Sequence, residues 1–176
     1  MNALPEILLI GFGNPGRQDD GLGPALAAAV EHLAIPGVVV DANYQLTVED
    51  AALAVEYGTI IFADAARVGP APFTFCEIVP ARPVTFSSHS VTPQTVLALG
   101  QQLFGHCCNG YLLGIRGYEF DEFGETLSPV AQHNLQRAIT FIERVLRERS
   151  LRGAAQRYTA AERPGANPSI SLSQEV

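Results

Sequence analysis

Three carboxylates and one imidazole occur where an apolar run of the chain gives way to a polar loop. Asp20 ends a glycine-rich loop that follows the apolar residues 7–10, whereas Asp41 and Asp64 end two later apolar runs. His89 lies in a polar stretch directly before a predicted helix. Two carboxylates and an imidazole suit a divalent first-row metal ion and leave positions open for other ligands. Asp20, Asp64 and His89 are therefore candidate metal ligands, provided that the fold brings them together.

The loop after the first apolar run also satisfies the pattern G-x-G-x-x-G, with Asp41 downstream as in a dinucleotide site. In such sites the helix begins within the glycine run, so that its first N–H groups hold the diphosphate. Here Pro15 and the polar residues 17–20 delay the predicted helix to about Pro24. Asp19 and Asp20 would also repel a diphosphate at close range. We therefore expect no nucleotide cofactor.

Apolar runs and helical periodicity alternate along the chain. The predicted strands cover residues 7–10, 38–40, 59–63, 73–79 and 111–115, and the predicted helices cover 24–33, 47–58, 92–105 and 128–146. The short link before residue 73 predicts an antiparallel strand at one edge. The fold class is thus α/β, a three-layer α/β/α sandwich on a mostly parallel five-stranded sheet. A 2-1-3 strand order would bring Asp20 and Asp64 to one edge.

Composition limits the remaining possibilities. The chain has 176 residues, 47% of them hydrophobic, which predicts one domain over residues 1–152. Residues 153–176 are rich in Ala, Ser, Pro, Gly and Gln, and we expect a disordered tail there. No apolar run is as long as a membrane span, and the N-terminus has no basic segment typical of a signal peptide. We expect a soluble, cytoplasmic monomer with no membrane partner.

The charged residues exclude several kinds of chemistry. All eleven cationic residues are arginine, so Schiff-base, P-loop and Ser-Lys chemistry have no lysine to use. The net charge of −7 disfavours a nucleic-acid partner, because that binding depends on neutralising phosphates. The three cysteines form neither a Cys-x-x-Cys pair nor a disulfide framework.

Several motifs together resemble the hydrogenase maturation endopeptidase family, in consistent order over roughly residues 7 to 146. They are the loop 11–23, the strand end Phe62-Ala-Asp-Ala65, Ser88-His-Ser90 before a helix, Gly114-Ile-Arg-Gly117 and Leu127-Ser-Pro-Val130. The loop 41–46 departs from the glycine-rich version of many members. It looks more like the branch that serves cytoplasmic, NAD-reducing hydrogenases.

The resemblance implies an endopeptidase that removes a C-terminal peptide from the large-subunit precursor of a nickel–iron hydrogenase after nickel insertion. The residues implied to contact nickel are Asp20, Asp64 and His89, and many members have Glu at the position of Asp20. Nickel would be carried by the substrate and would serve as the recognition element. It would polarise the scissile carbonyl or lower the pKa of a water, with Asp41 or Asp64 as general base.

Two other interpretations remain open. A non-catalytic nickel chaperone or sensor would use the same three ligands, and cleavage of a partner protein distinguishes it from a peptidase. A peptidyl-tRNA hydrolase also begins with a Gly-x-Gly-Asn-Pro-Gly loop. That family continues with a basic stretch and a catalytic histidine, whereas this chain has Arg17-Gln-Asp-Asp20. The acidic composition also opposes a tRNA partner.

Overall fold

The computed structural model describes residues 6–82, 91–106 and 108–161 of the chain. Strands and helices alternate as the sequence predicts, with a 3-10 turn and a fifth helix in addition. In chain order they are β1 (Ile7–Phe12), a 3-10 turn (Gln18–Gly21), α1 (Leu22–His32), β2 (Val38–Asn43), α2 (Glu49–Ala54), β3 (Thr59–Ala66), β4 (Phe73–Ile78), α3 (Pro93–Phe104), β5 (Asn109–Arg116), α4 (Pro129–Glu148) and α5 (Leu151–Ala161).

The five strands form one sheet in the order β2-β1-β3-β5-β4. Neighbouring strands are parallel except for β4, which pairs antiparallel with β5 at the edge. Ile10 of β1 lies beside Asp41 on one side and Phe62 on the other. The predicted fold class, the antiparallel edge strand and the 2-1-3 order of the first strands are thus confirmed. The carboxyl ends of β1, β2 and β3 meet at one edge, where such sheets bind ligands.

Both faces of the sheet are covered, which explains why the central strands read as continuous apolar runs. Along β1, Leu9 packs into a larger core with α1, α4 and α5. Leu8 and Ile10 pack instead into a smaller core with α2 and α3. All three side chains are fully buried. Because successive side chains of β1 point to opposite faces of the sheet, the strand packs against the helices of both outer layers of the sandwich.

Side chains set the starts of two helices as their sequences predict. Ser128 Oγ accepts a hydrogen bond from the N–H of Ala131 at the start of α4. Thr92 Oγ1 accepts one from the N–H of Thr95 at the start of α3. The predicted start of α1 at about Pro24 is two residues late. The 3-10 turn already winds the chain, so the helix begins at Leu22.

Residues 153–161, which we expected within a disordered tail, belong instead to α5. Leu151, Ala154 and Ala155 are buried in the larger core, and the helix lies against β4. Alanines supply a narrow apolar face that composition alone does not reveal. Residues 162–176 of the predicted tail lie outside the described residues. Within the described part of the chain, no helix has the length and apolar character needed to cross a membrane.

Candidate functional site

The loop between β1 and α1 folds back so that Asp20 contacts the residues that follow β1. Gly13 has a φ of 135°, and a Cβ there would overlap the carbonyl oxygen of Asp20. The carboxylate of Asp20 accepts a hydrogen bond of 2.9 Å from the N–H of Asn14. The side-chain oxygen of Asn14 in turn accepts one from the N–H of Gly16. The loop thus positions the Asp20 carboxylate by its own hydrogen bonds.

A second glycine brings this loop close to β3. A Cβ at Gly23, in the first turn of α1, would overlap the carbonyl oxygens of Phe12 and Ala63. The helix therefore begins directly over the ends of β1 and β3, with backbone in contact with backbone. Asp64 follows Ala63 in β3, so this close packing brings the loop that carries Asp20 next to Asp64.

Asp64 is a partly buried carboxylate near the carboxyl end of β3. Burial, together with the nearby negative charge of Asp20, raises the pKa of Asp64 to about 7. A hydrogen bond of 2.7 Å from the N–H of Ala65 acts in the opposite direction. Asp20 is therefore close enough to Asp64 to affect the ionisation of Asp64. Such a pair holds a proton near neutral pH or takes up a cation that neutralises both charges.

Asp41 lies on the same face of the sheet as Asp64, but β1 separates the strands that carry them. Because Asp41 is beside Ile10, and Ile10 beside Phe62, Asp41 and Phe62 share the face that α2 and α3 cover. Asp64 lies two residues beyond Phe62 on that face. Strand spacing and rise put the Cα atoms of Asp41 and Asp64 roughly 12 Å apart. The carboxylate of Asp41 accepts hydrogen bonds from Ala42 N and Asn43 Nδ2.

His89, the third predicted metal ligand, lies outside the described residues. The helix that follows it, α3, begins at Pro93 and packs on the face shared by Asp41 and Asp64. Across residues 6–82, 91–106 and 108–161, no group of three or more His, Cys, Asp or Glu side chains could hold a metal ion. The structure therefore brings together Asp20 and Asp64, and the complete ligand set stays a prediction.

Sequence reasoning missed the role of Asp19, the residue before Asp20. Its carboxylate is fully buried and accepts hydrogen bonds from the N–H groups of Tyr118, Glu119 and Ser128 and from Ser128 Oγ, all at 2.7–2.9 Å. Burial alone would raise the pKa of Asp19, but these hydrogen bonds outweigh it and lower the pKa. The adjacent acids were the only signal in the sequence, and they do not reveal which of the two turns inward.

Backbone hydrogen bonds reinforce this contact between the β1–α1 loop and the loop that joins β5 to α4. The N–H of Gln18 donates to the carbonyl of Gly124, and the N–H of Gly124 donates to the carbonyl of Gly16, at 2.7 and 2.9 Å. The N–H of Asp19 donates to the carbonyl of Glu119 at 2.9 Å. These hydrogen bonds therefore hold the β5–α4 loop against the loop that carries Asp20, although the two are distant in sequence.

Comparisons with protein-family models and with curated proteins give no match. Among solved structures, the hydrogenase maturation protease HycI of Thermococcus kodakarensis KOD1 is similar, with a TM-score of 0.61 and 21% identity over 82% of this chain and 94% of that one. The maturating endopeptidase HybD of E. coli gives a TM-score of 0.63 and 20% identity, covering 82% of this chain and 94% of that one. A hydrogenase 2 maturation peptidase from Thaumarchaeota archaeon SCGC_AB-539-E09 gives 0.60 and 19%, covering 80% and 97%. The chain therefore has the fold of these proteases, as the sequence motifs predict.

Proposed function

We propose that this chain is a hydrogenase maturation endopeptidase, which removes the C-terminal extension of a nickel–iron hydrogenase large-subunit precursor after nickel has been inserted. The observation that carries the proposal is the pairing of Asp20 with the partly buried Asp64 at the carboxyl edge of the sheet. The fold shared with HycI and HybD supports it, because these two proteins are a hydrogenase maturation protease and endopeptidase.

The electrostatics of the pair explain how nickel would act as the recognition element. Burial, and in addition repulsion by the neighbouring Asp20 carboxylate, raises the pKa of Asp64 to about 7, so Asp64 retains a proton near neutral pH. A divalent ion held by the precursor's cysteines removes this repulsion, and Asp20, Asp64 and His89 are its protein ligands in our proposal. A precursor without nickel leaves the repulsion in place. The site would therefore dock the loaded precursor in preference to the unloaded one.

Docking on nickel places the scissile bond beside the same carboxylates. A base removes a proton from a water molecule, and the resulting hydroxide attacks the scissile carbonyl. The protonated base then gives this proton to the departing amine as the peptide C–N bond breaks, and the nickel ion carried by the precursor would polarise the carbonyl or the water. Asp64 and Asp41 are the two candidate bases. Asp64→Asn should impair both binding and turnover, because Asp64 is also a nickel ligand. If Asp41 is the base, Asp41→Asn should lower kcat and leave KM for the precursor unchanged.

We propose that the protein acts in the cytoplasm as a monomer on the hydrogenase precursor, with no nucleic acid, membrane or nucleotide involved. The net charge of −7 is consistent with a protein partner and disfavours a polyphosphate. The loop 41–46 suggests a precursor from the NAD-reducing branch of hydrogenases.

The decisive experiment measures cleavage of nickel-loaded and nickel-free precursor by mass spectrometry. The wild type should shorten only the loaded precursor, and Asp20→Asn, Asp64→Asn and His89→Ala should each lose at least a hundredfold in rate. Asp121→Asn, which changes an exposed acid on the β5–α4 loop, is the control and should retain full activity. Nickel transfer to the precursor without cleavage would favour the chaperone. Full activity of the Asp20 and Asp64 variants would rule out the proposed site.

A further inference from the structure

A cavity of about 250 Å³ lies at the carboxyl ends of β1 and β2, next to the loop that carries Asp20. Its lining residues are Gly13, Pro15, Pro24, Ala42, Asn43 and Tyr44. Most of this lining is carbon, from two proline rings, a methyl group and an aromatic ring that is 70% exposed. The volume is below the range of cavities that hold a whole small molecule, so it has room for one large side chain.

The cavity is held in shape by contacts that do not depend on an occupant. The N–H of Gly13 donates to the carbonyl of Asn43 at 3.0 Å, which joins the ends of β1 and β2. The carboxylate of Asp41 fixes the far wall by accepting hydrogen bonds from Ala42 N and Asn43 Nδ2. The two prolines have restricted backbone angles. A preformed cavity of this kind binds a side chain with little loss of conformational entropy.

The cavity is next to the loop that carries Asp20. Gly13 forms part of its lining and also lies against the carbonyl oxygen of Asp20. The cavity lies on the face of the sheet that α1 covers, whereas Asp64 lies on the opposite face, so the loop that carries Asp20 is what connects the two. An extended peptide advances roughly 3.3 Å per residue. A substrate chain bound at Asp20 would therefore reach the cavity within about two or three residues.

On the premise of the proposed function, we propose that this cavity is a subsite for an apolar side chain of the precursor within three residues of the scissile bond. Ala42 and Tyr44 are then the residues that determine its specificity. Asp20 lies beside the cavity, so an acidic substrate side chain would be repelled there. The subsite would thus select precursors by the sequence around the cleavage position, in addition to their nickel content.

The test uses nickel-loaded precursor in which each of the three residues on either side of the cleaved bond is changed in turn to Asp. At one position, Asp should lower kcat/KM of the wild type at least tenfold, and that position is then varied among Ala, Leu and Phe. Ala42→Leu fills the cavity and should lower kcat/KM for the Leu and Phe precursors at least tenfold, while the Ala precursor is still cleaved. Val39→Leu, an exposed change on the same strand, is the matched control and should alter none of the ratios.

Tyr44→Ala provides a second variant at an exposed position, which avoids dependence on the folding of Ala42→Leu. It should reduce the preference for Phe over Ala at the selected position and leave cleavage of the Ala precursor intact. Equal slowing of all precursors by Ala42→Leu or Tyr44→Ala, or indifference of the wild type at all six positions, would overturn the subsite. Failure of the wild type to cleave any loaded precursor would instead count against the proposed function.

Discussion

Asp19 and Ser128, 109 positions apart in the chain, are joined by two hydrogen bonds in a fully buried contact. The N–H of Ser128 donates to Asp19 Oδ1 and its hydroxyl donates to Asp19 Oδ2, both at 2.7 Å. The same hydroxyl oxygen accepts the N–H of Ala131 at the start of α4. One serine thus connects the start of α4 to the loop that carries Asp20.

Asp19→Ala should destabilise the fold by about 3 kcal/mol, because it leaves several buried donors without an acceptor. Ser128→Ala, the matched variant on the other side of the contact, should cost about 1 kcal/mol, since Asp19 keeps its three backbone donors. Urea unfolding followed by circular dichroism measures both free energies. Equal losses for the two variants would show that the carboxylate is not the centre of this network.

The coupling between the two site carboxylates predicts a measurable shift. Asp20→Asn removes a neighbouring negative charge and should lower the pKa of Asp64, because the ionised form of Asp64 is then less disfavoured. The pKa should stay above the ordinary range for aspartate, since burial is the larger cause. A carbon-13 NMR titration of the Asp64 carboxyl group measures it. Asp121→Asn is the control, and an unchanged Asp64 pKa in Asp20→Asn would contradict the pairing.

Stability should depend on pH through Asp64. Its folded-state pKa of about 7 is above the unfolded value of 3.8. Between these two pH values the carboxyl group is therefore protonated in the folded protein and ionised in the unfolded chain. The contribution of Asp64 is therefore greatest below pH 4 and is lost as the pH rises through 7, by up to about 4 kcal/mol. Asp64→Asn should remove this decline and exceed the wild type in stability at pH 8. Urea midpoints from pH 4.5 to 8.5 test this, and parallel curves for the two proteins would refute it.

The adjacency of Asp20 and Asp64 follows from patterns that the sequence displays. Both residues follow apolar runs of the sequence, and the parallel 2-1-3 order that such alternation favours brings the ends of β1 and β3 to one edge. The burial of Asp19 did not follow, because it depends on donors from a loop about 100 residues later. The helix α5 was also missed, since its buried alanines are stabilised by contact with β4 and not by local periodicity. Both features depend on contacts between distant parts of the chain and leave no periodic pattern in the sequence, which is why sequence reasoning overlooks them.

Gly23→Ala should separate the carboxylate pair without changing either carboxylate. The new methyl group would overlap the carbonyl oxygens of Phe12 and Ala63, so the first turn of α1 must move away from the sheet. We expect a loss of about 2–3 kcal/mol in unfolding free energy together with a lower Asp64 pKa, because Asp20 moves with the turn.

Gly153→Ala is the control: it lies in α5, where the added methyl group meets only ordinary contacts, and it should stabilise the protein by up to about 1 kcal/mol. Urea unfolding and the carboxyl NMR titration measure the two effects separately. A destabilised Gly23→Ala protein with an unshifted Asp64 pKa would show that the close contact of α1 with the sheet supports the fold but does not position Asp20.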